Sequence, residues 1–186
     1  MKRGFKAQAE RISHDLRSQL GLATTDPLCP WKLAEHLSIH VLDIKELPLP
    51  ANDLEHLTSP GADWSGFSVR EAGLTGVVLN TSHQKPRLRS TLMHEISHIF
   101  LRHGGSQVTL TDSGTLLISE FSDEQEDEAN WLSGALLLPR EALLQARAEK
   151  MNDSQICAKY GASSDMCVWR LRMTGVDVQM RRKRVK

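Results

Sequence analysis

The sequence predicts an α+β fold. A small sheet lies beside one helix carrying a His-Glu-x-x-His pattern, and a helical hairpin closes the C-terminal part. Three observations predict it. Residues 64–70 and 74–80 are short β-rich runs around Glu71-Ala-Gly73, a hairpin signature in which Gly73 supplies the turn's positive φ. Residues 91–101 surround His94, Glu95 and His98 with Leu92, Met93, Ile96, Ile99, Phe100 and Leu101, as in a helix buried around a polar focus. Residues 154–160 and 165–173, separated by Gly161-Ala-Ser-Ser164, have the pattern of helix, turn, helix.

Each element follows from local chemistry. Ile12, Leu16 and Leu20 fall on one face of a helix over residues 5–22, with Gly21 as its stop. Pro27 and Pro30 mark a loop, residues 31–37 a second short helix, and residues 39–44 a strand. Residues 48–61 show no clear period and read as a surface loop. Pro86 fits the first turn of the His-Glu-x-x-His helix, and Gly104 and Gly105 provide its C-cap. Residues 108–121 alternate weakly and fit a strand or an irregular loop. Ser122 or Asp123 then caps a helix that Pro139 ends, with Ala129, Leu132, Ala135 and Leu136 as its inward stripe. Residues 140–151 form a further helix through Ala142, Leu143 and Ala146. Ile156, Cys157, Tyr160, Val168 and Leu171 would pack the hairpin beyond it.

The chemistry centres on His94 and His98. Four residues apart, they share one helix face, so both imidazoles can reach one metal ion. Glu95 sits beside them without competing for the same position, placed to take a proton from an attacking water. Such a site needs a third protein ligand. The sequence lacks a third His in the His-x-x-Gly-x-x-His arrangement, which leaves an acid from the helix after Ser122. Glu126 and Glu128 are the candidates. Glu126 is preferred because Asn130 follows it by one turn and could orient the site, while the small Ala129 permits close helix approach. His103, at the helix end, lies off the His94/His98 face and suits the helix dipole. His36 and His40 are read as non-ligands, and Tyr160 is a weak candidate for a catalytic hydroxyl.

These residues resemble the ImmA/IrrE family of bacterial and phage metallopeptidases. The likeness rests on Val77-Val-Leu-Asn80, on Arg89-Ser-Thr-Leu-Met-His-Glu-Ile-Ser-His98, on Glu126-Asp-Glu-Ala-Asn130 and on Leu136-Leu-Leu-Pro139, in the family's order over residues 64–140. Ser90, Met93 and Ser97 depart from it, standing where an aromatic residue, Ala and Gly are common. The resemblance implies a zincin-like fold over residues 1–186. Residues 1–63 would give N-terminal helices and a strand, residues 64–140 the catalytic core and residues 141–186 a helical tail. It implies a zinc-dependent endopeptidase with His94, His98 and Glu126 on Zn2+ and Glu95 as the catalytic base. It also implies a protein substrate, a helix-turn-helix transcriptional repressor encoded nearby, cleaved to relieve repression in a mobile element or stress response. The sheet would receive that substrate as an added strand. The alternative is a zinc-containing regulatory or toxin–antitoxin binding module that acts without proteolysis.

Composition narrows the classes further. The 23 Lys and Arg balance the 23 Asp and Glu, so no general affinity for polyanions is expected. Arg181-Arg-Lys-Arg184 reads as a solvated tail, and direct DNA binding by the hairpin is not expected. No apolar run approaches the roughly 20 residues of a membrane span, nor is there a signal-peptide core. Cys29, Cys157 and Cys167 lack paired spacing and suggest reduced thiols of a cytoplasmic protein.

Overall fold

Two helices pack against the buried face of a third. The computed structural model describes residues 1–186 apart from 60, 72–73, 105–107, 111–115, 119–120 and 185–186. At its centre is helix α5 (Asp123–Leu137), flanked by α1 (Phe5–Gln19) and α4 (Lys85–Phe100). The expected stripe Ala129, Leu132, Ala135 and Leu136 is fully buried, facing Leu92, Met93 and Ile96 of α4 and Ala9 and Leu16 of α1. Each large aliphatic side chain so buried contributes about 1.5–3 kcal/mol.

Polar clamps close the end of α5. The last carbonyls of any helix lack partners within it. Buried Arg17 donates from Nη2 to Leu136 O at 2.6 Å and from Nη1 to Ser13 Oγ at 2.6 Å. Burial pushes its guanidinium down to about 10. Arg170, equally buried and paired with Glu10, donates from Nε to Leu138 O at 3.0 Å. These two arginines tie α1 and the C-terminal helices to the same helix end.

On the other side of α4 lies a three-stranded sheet in the order β1-β3-β2. Strands β1 (His40–Asp43) and β3 (Leu74–Leu79) pair in parallel, whereas β2 (Gly66–Glu71) and β3 form the expected antiparallel pair. The turn at Gly73 lies outside the described residues. Helix α2 (Pro30–His36) precedes β1. Gly66 allows β2 to approach α4: a Cβ there would stand 2.9 Å from Thr91 Cγ2 and 3.0 Å from Val78 O. Buried Asn80, just after β3, donates to Leu57 O at 3.1 Å and ties down the preceding connection.

Several expectations need correction. Residues 48–61 contain a short helix, α3 (Ala51–Leu57), which buries no residue and so leaves no apolar period to read. Between α4 and α5, where a strand and an irregular loop were both open, β4 (Val108–Leu110) pairs with β5 (Leu116–Ile118) as antiparallel strands. The left-handed residue ending α4 is Arg102, at φ 55°, and not a glycine. Beyond α6 (Arg140–Ala148), α7 (Asp153–Tyr160) and α8 (Ser164–Thr174) form the expected hairpin through Gly161 at φ 65°. Val168 points outward on α8, 55 % exposed, while Cys167 beside it takes the buried position. The basic run expected as a tail continues α9 (Val176–Arg184), which is anchored by buried Val176 and by Asp177 on Arg147 Nε at 2.8 Å. Cys29, Cys157 and Cys167 are all free thiols. Among the described residues, no helix is long and apolar enough to cross a membrane.

Candidate metal centre

The two elements that build the site are shaped by their ends. Helix α4 starts with Pro86 in its first turn, where a missing N–H costs nothing, and runs unbroken through His94, Glu95 and His98. Helix α5 starts with a capping box: Ser122 accepts from the Gln125 N–H, and the Gln125 side chain accepts from the Ser122 N–H. Asp123, Glu124 and Glu126 occupy its first turn, where the helix dipole favours negative charge. Packing of α4 on α5 then brings that turn over the histidine face.

Three side chains converge there. His94 Nε2 and His98 Nε2 are 3.0 Å apart, and Glu126 places Oε2 at 3.3 Å from the first and Oε1 at 3.4 Å from the second. Donors set tetrahedrally about 2.1 Å from one ion are about 3.4 Å from each other, and the ring nitrogens and the two carboxylate oxygens that face them are spaced closely enough to share an ion. Glu128, the other acid considered, is turned away: its Oε2 lies 3.5 Å from His103 Nε2 and its Oε1 accepts the Lys2 N–H at 3.1 Å. His36 and His40 take no part in the cluster; His36 Nε2 instead contacts Gln19 Oε1 at 3.0 Å. The Tyr160 hydroxyl is committed to Thr25 O at 3.1 Å within the helical part, which removes it as a catalytic candidate.

The electrostatics suit a cation. Burial disfavours a proton on His94, but the Glu126 hydrogen bond and the charges of Glu95 and Glu126 hold it above the ordinary imidazole value. Burial and the charge of His94 push His98 down to about 3. Two facing rings cannot both be protonated, and the acid beside them has been drawn into the same balance. The hydrogen bond from His94 keeps the Glu126 carboxyl below its usual range despite some burial. Glu95 is 8 % exposed, and burial raises it to about 7 against the pull of His94 and of hydrogen bonds from Ser68 on β2.

Two contacts were not legible beforehand. Phe121, immediately before the α5 cap, stacks on His98 with ring centroids 3.7 Å apart. His103 reaches back so that its Nδ1 lies 3.0 Å from His98 Nδ1. Asn130, singled out by its spacing from Glu126, hydrogen-bonds His94 through its side chain. Of the three departures from the family pattern, Ser97 donates to Met93 O at 2.8 Å within α4, Met93 is fully buried, and Ser90 Oγ accepts the Ser163 N–H at 3.0 Å, joining α4 to the start of α8.

A pair of imidazoles one turn apart, a carboxylate from a second helix and a buried glutamate define a metal-dependent hydrolase of the metallopeptidase class. The family described as the IrrE N-terminal-like domain, peptidase M78, matches residues 34–172, about three quarters of the chain. The chain therefore belongs to the ImmA/IrrE metallopeptidase family, and the match extends beyond the 64–140 stretch that carries the motifs. Neither a curated protein nor a solved structure gives a significant match.

Proposed function

We propose that this chain is a zinc-dependent endopeptidase in which His94, His98 and Glu126 hold the metal and Glu95 is the general base. The observation that carries the reading is the convergence of two ring nitrogens 3.0 Å apart with the Glu126 carboxylate, whose two oxygens lie 3.3 Å from His94 Nε2 and 3.4 Å from His98 Nε2. Zinc in such a donor set supplies Lewis acidity, acidifying a water and polarising a carbonyl. The chain's own residues do the rest. Glu95 accepts a proton from the attacking water as a C–O bond forms at the scissile carbonyl. It then returns that proton to the amine as the C–N bond breaks. Asn130 orients the His94 ring, and Phe121 shields the His98 ring from water.

For the substrate's backbone we favour the free edge of β2. This strand is outermost in the β1-β3-β2 order, and Ser68 within it hydrogen-bonds Glu95. A peptide added to that edge would pass the reacting group, with main-chain hydrogen bonds giving affinity and little sequence demand. We take residues 1–186 as one domain, because α1 and the C-terminal helices both clamp the end of α5. The substrate we propose, on family resemblance, is a helix-turn-helix repressor encoded nearby, met in the cytoplasm, where the three free thiols would stay reduced.

The test is to incubate the zinc-loaded protein and its Glu95→Gln variant with that neighbouring repressor and read cleavage by mass spectrometry. The reading expects one discrete cut by the wild type and none by a variant that still holds zinc. Equal effects of both proteins on repression, with no cut, would favour a binding module instead.

A further inference from the structure

We infer that Glu128 and His103 form a positioning relay that fixes the tautomer and orientation of His98, so that its Nε2 lone pair faces the metal site. The inference rests on the zinc reading above. It begins in the backbone. Helix α4 ends in a Schellman motif: the Arg102 N–H bonds Ile99 O at 3.1 Å, and the His103 N–H bonds His98 O at 3.1 Å, with Arg102 left-handed at φ 55°. That motif is frequently accompanied by a contact, usually apolar, between the residue two beyond the cap and the side chain three before it. Here the two residues are His103 and His98, and the contact is between ring nitrogens at 3.0 Å.

Proton placement then follows from the carboxylate at the far end. His103 Nε2 is buried and has no hydrogen-bond acceptor within good geometry among the described residues. The acid facing it is Glu128 Oε2 at 3.5 Å, and both side chains are at most 8 % exposed. A carboxylate accepts and cannot donate, so the His103 proton belongs on Nε2, toward Glu128. His103 Nδ1 is thereby an acceptor, and the proton between the two rings belongs to His98 Nδ1. That leaves His98 Nε2 with a free lone pair, 3.0 Å from His94 Nε2 and 3.4 Å from Glu126 Oε1. A histidine ligand whose other nitrogen is held by such a partner binds metal more tightly, and losing the partner costs about 10–100-fold in affinity.

The experiment compares the whole chain with His103→Leu, which removes the acceptor, and His103→Asn, which restores an acceptor oxygen near the position of Nδ1. Zinc affinity is read by competition with a chromophoric chelator, and the His98 tautomer by 15N NMR of the metal-free proteins. The relay predicts that His103→Leu binds zinc about 10–100-fold more weakly and that His103→Asn recovers most of that loss. It also predicts a proton on His98 Nδ1 in the metal-free wild type. Equal zinc affinity in wild type and His103→Leu, or a His98 proton on Nε2 in the wild type, would overturn it. Loss in both variants alike, with no rescue by Asn, would reduce His103 to packing. A wild type with no zinc affinity would overturn the zinc reading itself, a result distinct from equal binding.

Discussion

Phe121 lies flat against His98, ring centroids 3.7 Å apart and planes within 18° of each other. The residue that closes the approach to α5 thus covers one histidine of the site, while Glu126, one turn into the same helix, faces both. A single helix start delivers the lid and the acid together. His98 is only 1 % exposed as a result. Phe121→Ala should admit water to that ring and lower stability by about 1–2 kcal/mol, less than a full core truncation because Phe121 is only half-buried. Chemical denaturation of the metal-free protein checks this, and Phe121→Leu should lose less.

Gly66 sets how closely β2 rides on α4. Since a Cβ there would meet Thr91 Cγ2 at 2.9 Å and backbone Val78 O at 3.0 Å, Gly66→Ala must push the strand outward. The expected cost is about 1–3 kcal/mol of stability, the usual range for overpacking. If β2 receives the substrate, peptidase activity should fall by more than the lost stability explains, which kinetics under fully folded conditions would show.

Arg102 occupies a left-handed position that an L side chain enters at a cost of about 1 kcal/mol. Arg102→Gly removes that strain, offset in part by the greater freedom of glycine when unfolded. Thermal unfolding should show a gain of a few tenths to about 1 kcal/mol. Zinc binding should be unchanged, because the helix end that presents His103 is kept.

Glu95 gives a pH signature in the metal-free protein. Burial raises its carboxyl from 4.5 to about 7, so between those values the folded chain keeps a proton that the unfolded chain releases. The stability linked to neutral Glu95 is complete below about 4.5 and is lost as pH rises through about 7. Glu95→Gln carries no such group. The difference between variant and wild type should therefore move in the variant's favour by about 3 kcal/mol across that window, read by denaturation at each pH.

What the sequence made legible, and what it did not, divides by distance along the chain. His94, Glu95 and His98 lie within one helical turn, so spacing alone placed the rings on one face. Glu126 and Asn130 were reachable by the same rule within α5, and the parity of strands around Glu71-Ala-Gly73 was enough for the β2–β3 pair. His103 was set aside because a regular helix would carry it off the histidine face. The chain instead reverses at Arg102, and a left-handed arginine sends no signal of the kind a glycine would. Phe121 could not be placed without the α4–α5 packing. Helix α3 buries nothing, and α9 carries basic residues that mask its anchoring by Val176 and Asp177.

The most direct test of the central claim is the zinc content of purified wild type, Glu126→Ala and Glu128→Ala at saturating zinc. The account predicts about one zinc per chain in the wild type. It predicts none retained in Glu126→Ala, and near-full content with weakened affinity in Glu128→Ala. Full zinc content in Glu126→Ala, or its loss only in Glu128→Ala, would contradict it.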